Sequence, residues 1–289
     1  VAGATAVLFW PFLWENPVQN YFFSVAEAAR FPWSGIILFA GKIYTKDSLP
    51  DSFLPSLLCL QFTETALILA IIGACLAIAC AIQKPELRMD TLLLGAWLIL
   101  PLLAAILMHS TVYNNFRQFL FAVPPIFVFA GLALKALWER MQHKPYWFSG
   151  LCFLLLLPGI YWGIRLHPYE YIYYNSLTGG VRGAFRNYEL DYWGISYKDA
   201  IEYINRVAPS KATVIAKGQF ENARIYARPD LSVLDFSARN DESFSSADYA
   251  ILSSQFGDDE FIFSNYPIIF QVERDGAPLA VVKQLNPQP

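Results

Sequence analysis

Histidine and cysteine are scarce in this chain, with three and four copies among 289 residues. Cys59, Cys75, Cys80 and Cys152 lie in or beside apolar runs, and none stands at metal-ligand spacing from another cysteine or a histidine. They read as small hydrophobes. His109, His143 and His167 are far apart, so no histidine-based metal site is expected. Residues after His167 include no cysteine, and disulfides therefore say nothing about that half's compartment. Nucleic acid drops out as a partner because no basic run with interleaved aromatics occurs. There is no G-x-S-x-G and no histidine beside a candidate nucleophile. GGVRG at 179–183 lacks the preceding strand and the following Lys-Ser/Thr of a phosphate loop. It reads as a turn in which glycine supplies positive φ. A starting methionine is also missing. VAGATAVLFWPFLW opens inside an apolar run, is shorter than the roughly 20 residues of a full span, and lacks the basic start of a signal peptide. The expectation is the tail of a helix whose beginning lies upstream, in a chain that is the C-terminal portion of something longer.

Apolar residues are abundant, at 55% of the chain, but unevenly placed. Up to His167 the sequence is dominated by long Leu/Ile/Ala/Phe runs. Beyond Leu166 it carries 11 basic and 16 acidic residues, against 10 basic and 8 acidic before. A near-neutral membrane half therefore precedes an acidic, solvated half. Four fuller runs, 53–83, 91–109, 118–138 and 147–165, are each long enough to cross a hydrocarbon core of about 30 Å. Gln61 and Glu64 place the start of the first at or above the interface, and Pro101, Pro124, Pro125 and Pro158 are expected to kink these helices. Lys84 and Arg88 fall in one short loop, and Lys135, Arg140 and Lys144 in another, with Trp138 and Trp147 as interface anchors. By the positive-inside rule both loops are cytoplasmic. Alternation then puts 15–52, the 113–117 turn and everything after His167 outside.

In the tail, Ser196 with Asp199 resembles a capping box. Tyr197, Ala200, Ile201, Ile204 and Val207 form a helical face that Pro209 ends. Strand-like runs follow at 212–216, 231–236, 248–252, 267–273 and 278–285, with a short helix at 221–227 and a hairpin at Asp275-Gly276. The predicted fold is an α-helical multi-span membrane region over 1–167, comprising a partial helix, an outer loop at 15–52 and about four transmembrane helices. A small extracytoplasmic α/β domain follows over 168–289.

The stretch HSTVYNNFRQFLFAVPP sets Tyr113, Asn114, Asn115 and Arg117 at the outer mouth of a helix. A helix N-terminus favours an anion, a guanidinium fork matches phosphate oxygens, and the asparagines add donors. Two readings stand: a site for a lipid-linked phosphate, or an arginine snorkelling to headgroups in general. Lys42, after the run GIILFAG, is a contact for an anionic substrate or a solvated loop lysine. Glu64 is a functional intramembrane acid or an interfacial one. Glu189 and Asp191 form a carboxylate pair spaced by two, a pattern open to general acid–base work but equally to a structural role.

Together, WPFLWENP, FPWSGIILFAGKIY, HSTVYNNFRQFLFAVPP and HPYEYIYYNSLTGGVRGAFRNYELDYWG resemble the C-terminal half of bacterial GT-C membrane glycosyltransferases. The relatives concerned are the family 39, protein O-mannosyltransferase and aminoarabinose-transferase type. The resemblance covers nearly all of the membrane half and the first thirty residues of the tail. It implies a bacterial inner-membrane enzyme with a periplasmic domain. Such an enzyme moves a sugar from a polyprenyl-phosphate donor to a protein or lipid acceptor on the outer face, by inverting displacement. It also implies that the catalytic acid sits in an N-terminal outer loop that this sequence does not contain. No catalytic residue is assigned here, and the role of a divalent metal stays open. Tyr113, Asn114 and Arg117 match the family's outer-face arginine turn. The competing expectation is a non-catalytic scaffold subunit of a larger membrane complex, derived from such an enzyme and partnered by other membrane subunits.

Overall fold

The computed structural model describes residues 2–29, 33–237 and 246–286. Helix α1 (Ala2–Phe9) leads through a 3-10 turn into α2 (Pro17–Ala29), followed by a two-stranded hairpin, β1 (Ile36–Phe39) and β2 (Lys42–Thr45). Next comes α3 (Phe53–Leu60), and then a helical bundle: α4 (Glu64–Gln83), α5 (Arg88–Leu107), α6 (Pro124–Met141) and α7 (Pro145–Leu166). Three of its helical segments, Glu64–Gln83, Pro85–Leu107 and Pro145–Leu166, are long and apolar enough to cross a membrane. A fourth span results if the 3-10 helix Asn115–Ala122 and α6, bent by 63°, count as one. Most large side chains on these helices face outward, as Ile71, Leu93 and Ile164 do, which suits hydrocarbon surroundings.

Two helix boundaries differ from the sequence reading. The run 53–83 is broken at Gln61–Thr63, because the tail stitches into the break. Asn175 donates its side-chain amide to the carbonyls of Cys59 (2.6 Å) and Phe62 (3.0 Å), and its backbone N–H to Leu60 (2.9 Å). Those carbonyls, orphaned at a helix end, are satisfied without continuing the helix. At Pro124 and Pro125 the chain bends by 63° between the 3-10 helix Asn115–Ala122 and α6, and the two prolines begin α6, where the missing N–H costs nothing. Pro101 and Pro158 lie inside continuous helices. At the far end of α4, Arg88 donates to the carbonyls of Ala81 (3.0 Å) and Ile82 (3.3 Å) and closes that terminus.

The tail opens with α8 (Gly180–Ala184) and α9 (Ser196–Val207), and continues through β3 (Thr213–Ala216), α10 (Phe220–Tyr226), β4 (Ser232–Asp235), β5 (Tyr249–Ser253) and α11 (Asp258–Phe261) to β6 (Ile268–Arg274) and β7 (Ala277–Gln284). The strands form one mixed sheet, order β4-β3-β5-β7-β6, parallel among β4, β3 and β5 and antiparallel beyond. Alternate residues face opposite sides: Val214 and Ala216 join the core under α9, while Ile215 joins a smaller cluster with Leu252 and Val281. Asp275 and Gly276 both hold positive φ (52° and 74°), the geometry of a tight two-residue hairpin.

The expected Ser196/Asp199 capping box does not form. Asp191 caps α9 instead, accepting from the N–H groups of Ile195 (3.0 Å) and Ser196 (3.2 Å) and from the Ser196 hydroxyl. Asp199 is drawn away to the Tyr169 hydroxyl (2.6 Å). The hairpin of the 15–52 loop packs with the tail: Phe39 meets Tyr188 edge-on at 5.7 Å, and Gly41 N–H donates to Asn187.

Candidate functional site

The bundle end that bears the sheet gathers the start of α4, the end of α5, the 113–122 segment and the end of α7. Asn114 and Asn115 are successive left-handed residues (φ 54° and 63°), and the 3-10 helix Asn115–Ala122 follows them. A 3-10 helix, not the α-helix expected from sequence, therefore begins at this turn. One of its first amides is taken inside the protein: Phe116 N–H donates to Gln61 Oε1 at 3.1 Å.

The predicted residues part company here. Asn115 is 3% exposed, donates to the Glu189 carbonyl (2.9 Å) and accepts from the Tyr174 hydroxyl (3.0 Å), so its side chain ties the turn to the tail. Asn114 caps the 3-10 helix in its left-handed conformation. Tyr113 stacks on Trp33 with centroids 4.7 Å apart and rings nearly parallel. Lys42 is exposed on β2 and is not among the side chains around the cavity beside Arg117.

Arg117 stands apart. Its guanidinium carbon lies 4.6 Å from the Trp193 ring centre and 5.4 Å from that of Tyr113, so two aromatic walls flank the cation. Its Nε is buried with no hydrogen-bond partner, and none of the ion pairs among the described residues includes it. It lines a cavity of about 240 Å³ with Gln61, Glu170, Tyr171, Tyr173 and Tyr192. A second cavity of about 260 Å³ shares Gln61, Glu170 and Tyr173 and adds Thr63, Trp162 and Gly163. A third, about 330 Å³ and mostly apolar, shares Thr63 with the second and runs between α4, α6 and α7 past Leu69, Phe127 and Leu155. Polar walls thus give way stepwise to apolar ones. A larger apolar cavity of about 620 Å³, between α4 and α5, shares no wall residue with these three.

Charge around the first cavity is mixed. Glu170 pairs with His167 (2.7 Å), and its own backbone amide and that histidine hold its carboxyl below the usual range. The Tyr173 hydroxyl is buried without a partner, and burial pushes its ionisation up to about 12. Among the described residues that line this cavity, Arg117 carries the positive charge that attracts an anion and Glu170 a negative one.

Glu189 and Asp191 do not act as a pair. Asp191 serves the α9 cap and also accepts the Tyr171 hydroxyl; burial raises its carboxyl despite these donors. Glu189, 2% exposed, lies behind the turn. Burial drives its ionisation up to about 8, while the amides of Leu38, Asn115 and Asn114 and the Arg117 charge pull the other way. Glu64 is a tether: its carboxylate accepts the Ser176 N–H at 2.7 Å. No group of three or more His, Cys, Asp or Glu suited to a metal ion occurs among the described residues.

No known protein family, curated protein or solved structure matches this chain.

Sequence reasoning did not single out Trp193, Tyr171, Tyr173, Tyr192 or Glu170. Their signal was the aromatic density of YEYIYYN and DYWG, legible as an interfacial segment but not as the wall of one cavity. Gln61 was visible only as a polar residue at a span's edge.

Proposed function

We propose that this chain is the C-terminal portion of a membrane glycosyltransferase that takes a sugar from a polyprenyl-phosphate carrier and passes it to a protein or lipid acceptor. One observation carries the reading: an arginine without an ion pair among the described residues, clamped between Tyr113 and Trp193, opens on cavities that grade into an apolar space among α4, α6 and α7. An amphiphile with an anionic head and a long apolar tail fits that gradient. The reaction class comes from the resemblance to GT-C enzymes. Lys84, Arg88, Lys135, Arg140 and Lys144 at or near the opposite end of the bundle support an extracytoplasmic sheet domain; the bacterial inner membrane comes from the same resemblance.

In such a transfer the carrier phosphate is the leaving group, and negative charge grows on its oxygens as the glycosidic bond breaks. Arg117 meets that charge with a guanidinium fixed in place beforehand. Tyr113 and Trp193 hold its plane, and Asn115 holds the turn that presents it. The acceptor is deprotonated by a group outside this chain, in keeping with the family's N-terminal outer loop.

The test is sugar transfer from a radiolabelled polyprenyl-phosphate donor by membranes carrying the complete protein. Arg117→Ala should lower turnover by about 100-fold, the usual cost of removing one transition-state donor. Unchanged transfer overturns the reading, and favours a scaffold subunit if activity of the surrounding complex persists.

A further inference from the structure

The stretch PYEYIYYN holds four tyrosines, and the fold engages three of their hydroxyls. Tyr169 donates to Asp199 (2.6 Å), Tyr171 to Asp191, and Tyr174 to Asn115 Oδ1 (3.0 Å) and the Glu189 carbonyl (3.3 Å). The Tyr173 hydroxyl is buried and has no such acceptor among the described residues. Burying an unsatisfied hydroxyl works against folding, so its presence calls for a reason outside the fold.

Four buried side-chain nitrogens or oxygens lack a hydrogen-bond partner among the described residues. Two of them, Glu189 Oε2 and Gln255 Oε1, belong to residues that already share a bond, Gln255 Nε2 donating to Glu189 Oε1 (3.3 Å). Neither residue lines the three cavities that share walls. The other two atoms, Arg117 Nε and the Tyr173 hydroxyl, belong to residues on the wall of one cavity, the space of about 240 Å³. Tyr173 also lines the next cavity, with Thr63 and Trp162, on the way to the apolar one. It therefore stands between the guanidinium and the place of a lipid tail.

One joint sets both side chains. Asn115, two residues before Arg117, accepts from Tyr174, the residue after Tyr173. Asn175 fastens the same stretch to the carbonyls of Cys59 and Phe62, and the Tyr173 ring leans on Trp162 of α7 with centroids 6.1 Å apart. The phenol is thus held in place before a ligand arrives, which lowers the ordering cost of binding.

We propose that the Tyr173 hydroxyl is a second contact for the lipid phosphate, donating to an oxygen on the side of the apolar tail while Arg117 holds another. The inference rests on reading Arg117 as the phosphate site and names the residue that completes it. Burial keeps the phenol protonated, its ionisation pushed up to about 12, so at neutral pH it has a proton to donate. Being uncharged, it does not hold a phosphate beside Glu170 without Arg117, and the two contacts act together.

The experiment uses the complete protein in nanodiscs, with equilibrium binding of farnesyl phosphate and of farnesol at pH 7 and thermal unfolding without ligand. Tyr173→Phe removes a hydroxyl that no described residue bonds, so its ligand-free melting temperature should match or exceed that of wild type. It should bind farnesyl phosphate about fivefold more weakly, as loss of one ordinary hydrogen bond implies, and bind farnesol as wild type does. In an Arg117→Ala background the same change should cost nothing further; a further loss there overturns the assignment to the shared phosphate. A lower melting temperature, or failure to fold, shows that the hydroxyl serves the fold and overturns the inference. Unchanged affinity for farnesyl phosphate, or equal weakening toward farnesol, overturns the phosphate contact while leaving Arg117 its role. A phosphate preference untouched by Arg117→Ala overturns the anion site and this inference with it.

Discussion

Among the glycines of the bundle helices Gly73 is the most closely approached, and a single methyl group there tests the packing of α4 on α6. A Cβ built on Gly73 would lie 1.7 Å from the carbonyl oxygen of Phe129 and 2.5 Å from its carbon. An ordinary carbon–oxygen contact needs about 3.3 Å, so α4 and α6 would have to separate by roughly 1.6 Å. The obstacle is backbone, which cannot rotate aside as a side chain can. Ala70, Ala77 and Ala81 are buried on α4 with Gly73, and Ile126, Ala130 and Ala133 on α6 with Phe129, so separation loosens the whole face. Small residues at this spacing permit such close approach in membranes. We expect Gly73→Ala to cost about 3 kcal/mol, the upper end for overpacking, against about 1 kcal/mol gained in helix propensity. Gly95→Ala and Gly131→Ala are matched controls, because nothing lies within 4 Å of a Cβ at either position. Unfolding of the purified protein in mixed detergent–SDS micelles would measure all three. If Gly73→Ala proves as stable as the two controls, the α4–α6 crossing described here is wrong.

The tail and the turn make further predictions. Asp191→Ala removes the acceptor for Ile195, Ser196 and Tyr171 together, and should cost about 3 kcal/mol through a lost cap and an orphaned buried hydroxyl; chemical denaturation of the full chain checks it, and a loss below about 0.5 kcal/mol refutes the capping role. Asn114→Gly removes the Cβ at φ 54° and should leave stability within about 0.5 kcal/mol, whereas Asn114→Ala keeps that Cβ without the short polar side chain that eases the left-handed conformation, and should cost about 1 kcal/mol more; thermal unfolding of the pair shows whether that order holds.

Much of the architecture could be read before any coordinates, because it rests on local periodicity. Long apolar runs gave helices of membrane length, Asp275-Gly276 gave the hairpin, and the face Tyr197–Ala200–Ile201–Ile204 gave α9. What escaped rests on contacts distant in sequence. The break after α3 is made by Asn175, over a hundred residues downstream. Asp191 outcompetes Ser196 and Asp199 because the chain folds back on itself at Gly194, where φ is 61°, and no helix-start pattern records that. At the site, Arg117 was conspicuous as a charge at a span's mouth. The fate of its neighbours was not, since Asn115 finds its partner 74 residues away in Glu189. An asparagine beside an arginine carries two donors whichever way it points; only packing decides whether they face a ligand or the protein.

The central claim is that Arg117 recognises the phosphate of a long-tailed lipid. Binding of farnesyl phosphate and of farnesol to the complete protein, compared at pH 7 for wild type and Arg117→Ala, tests it most directly. Wild type should prefer the phosphate by about tenfold or more, as one charge-assisted contact of about 1.5–3 kcal/mol requires, and the variant should lose the preference while still binding the alcohol. Equal preference in both proteins would contradict it.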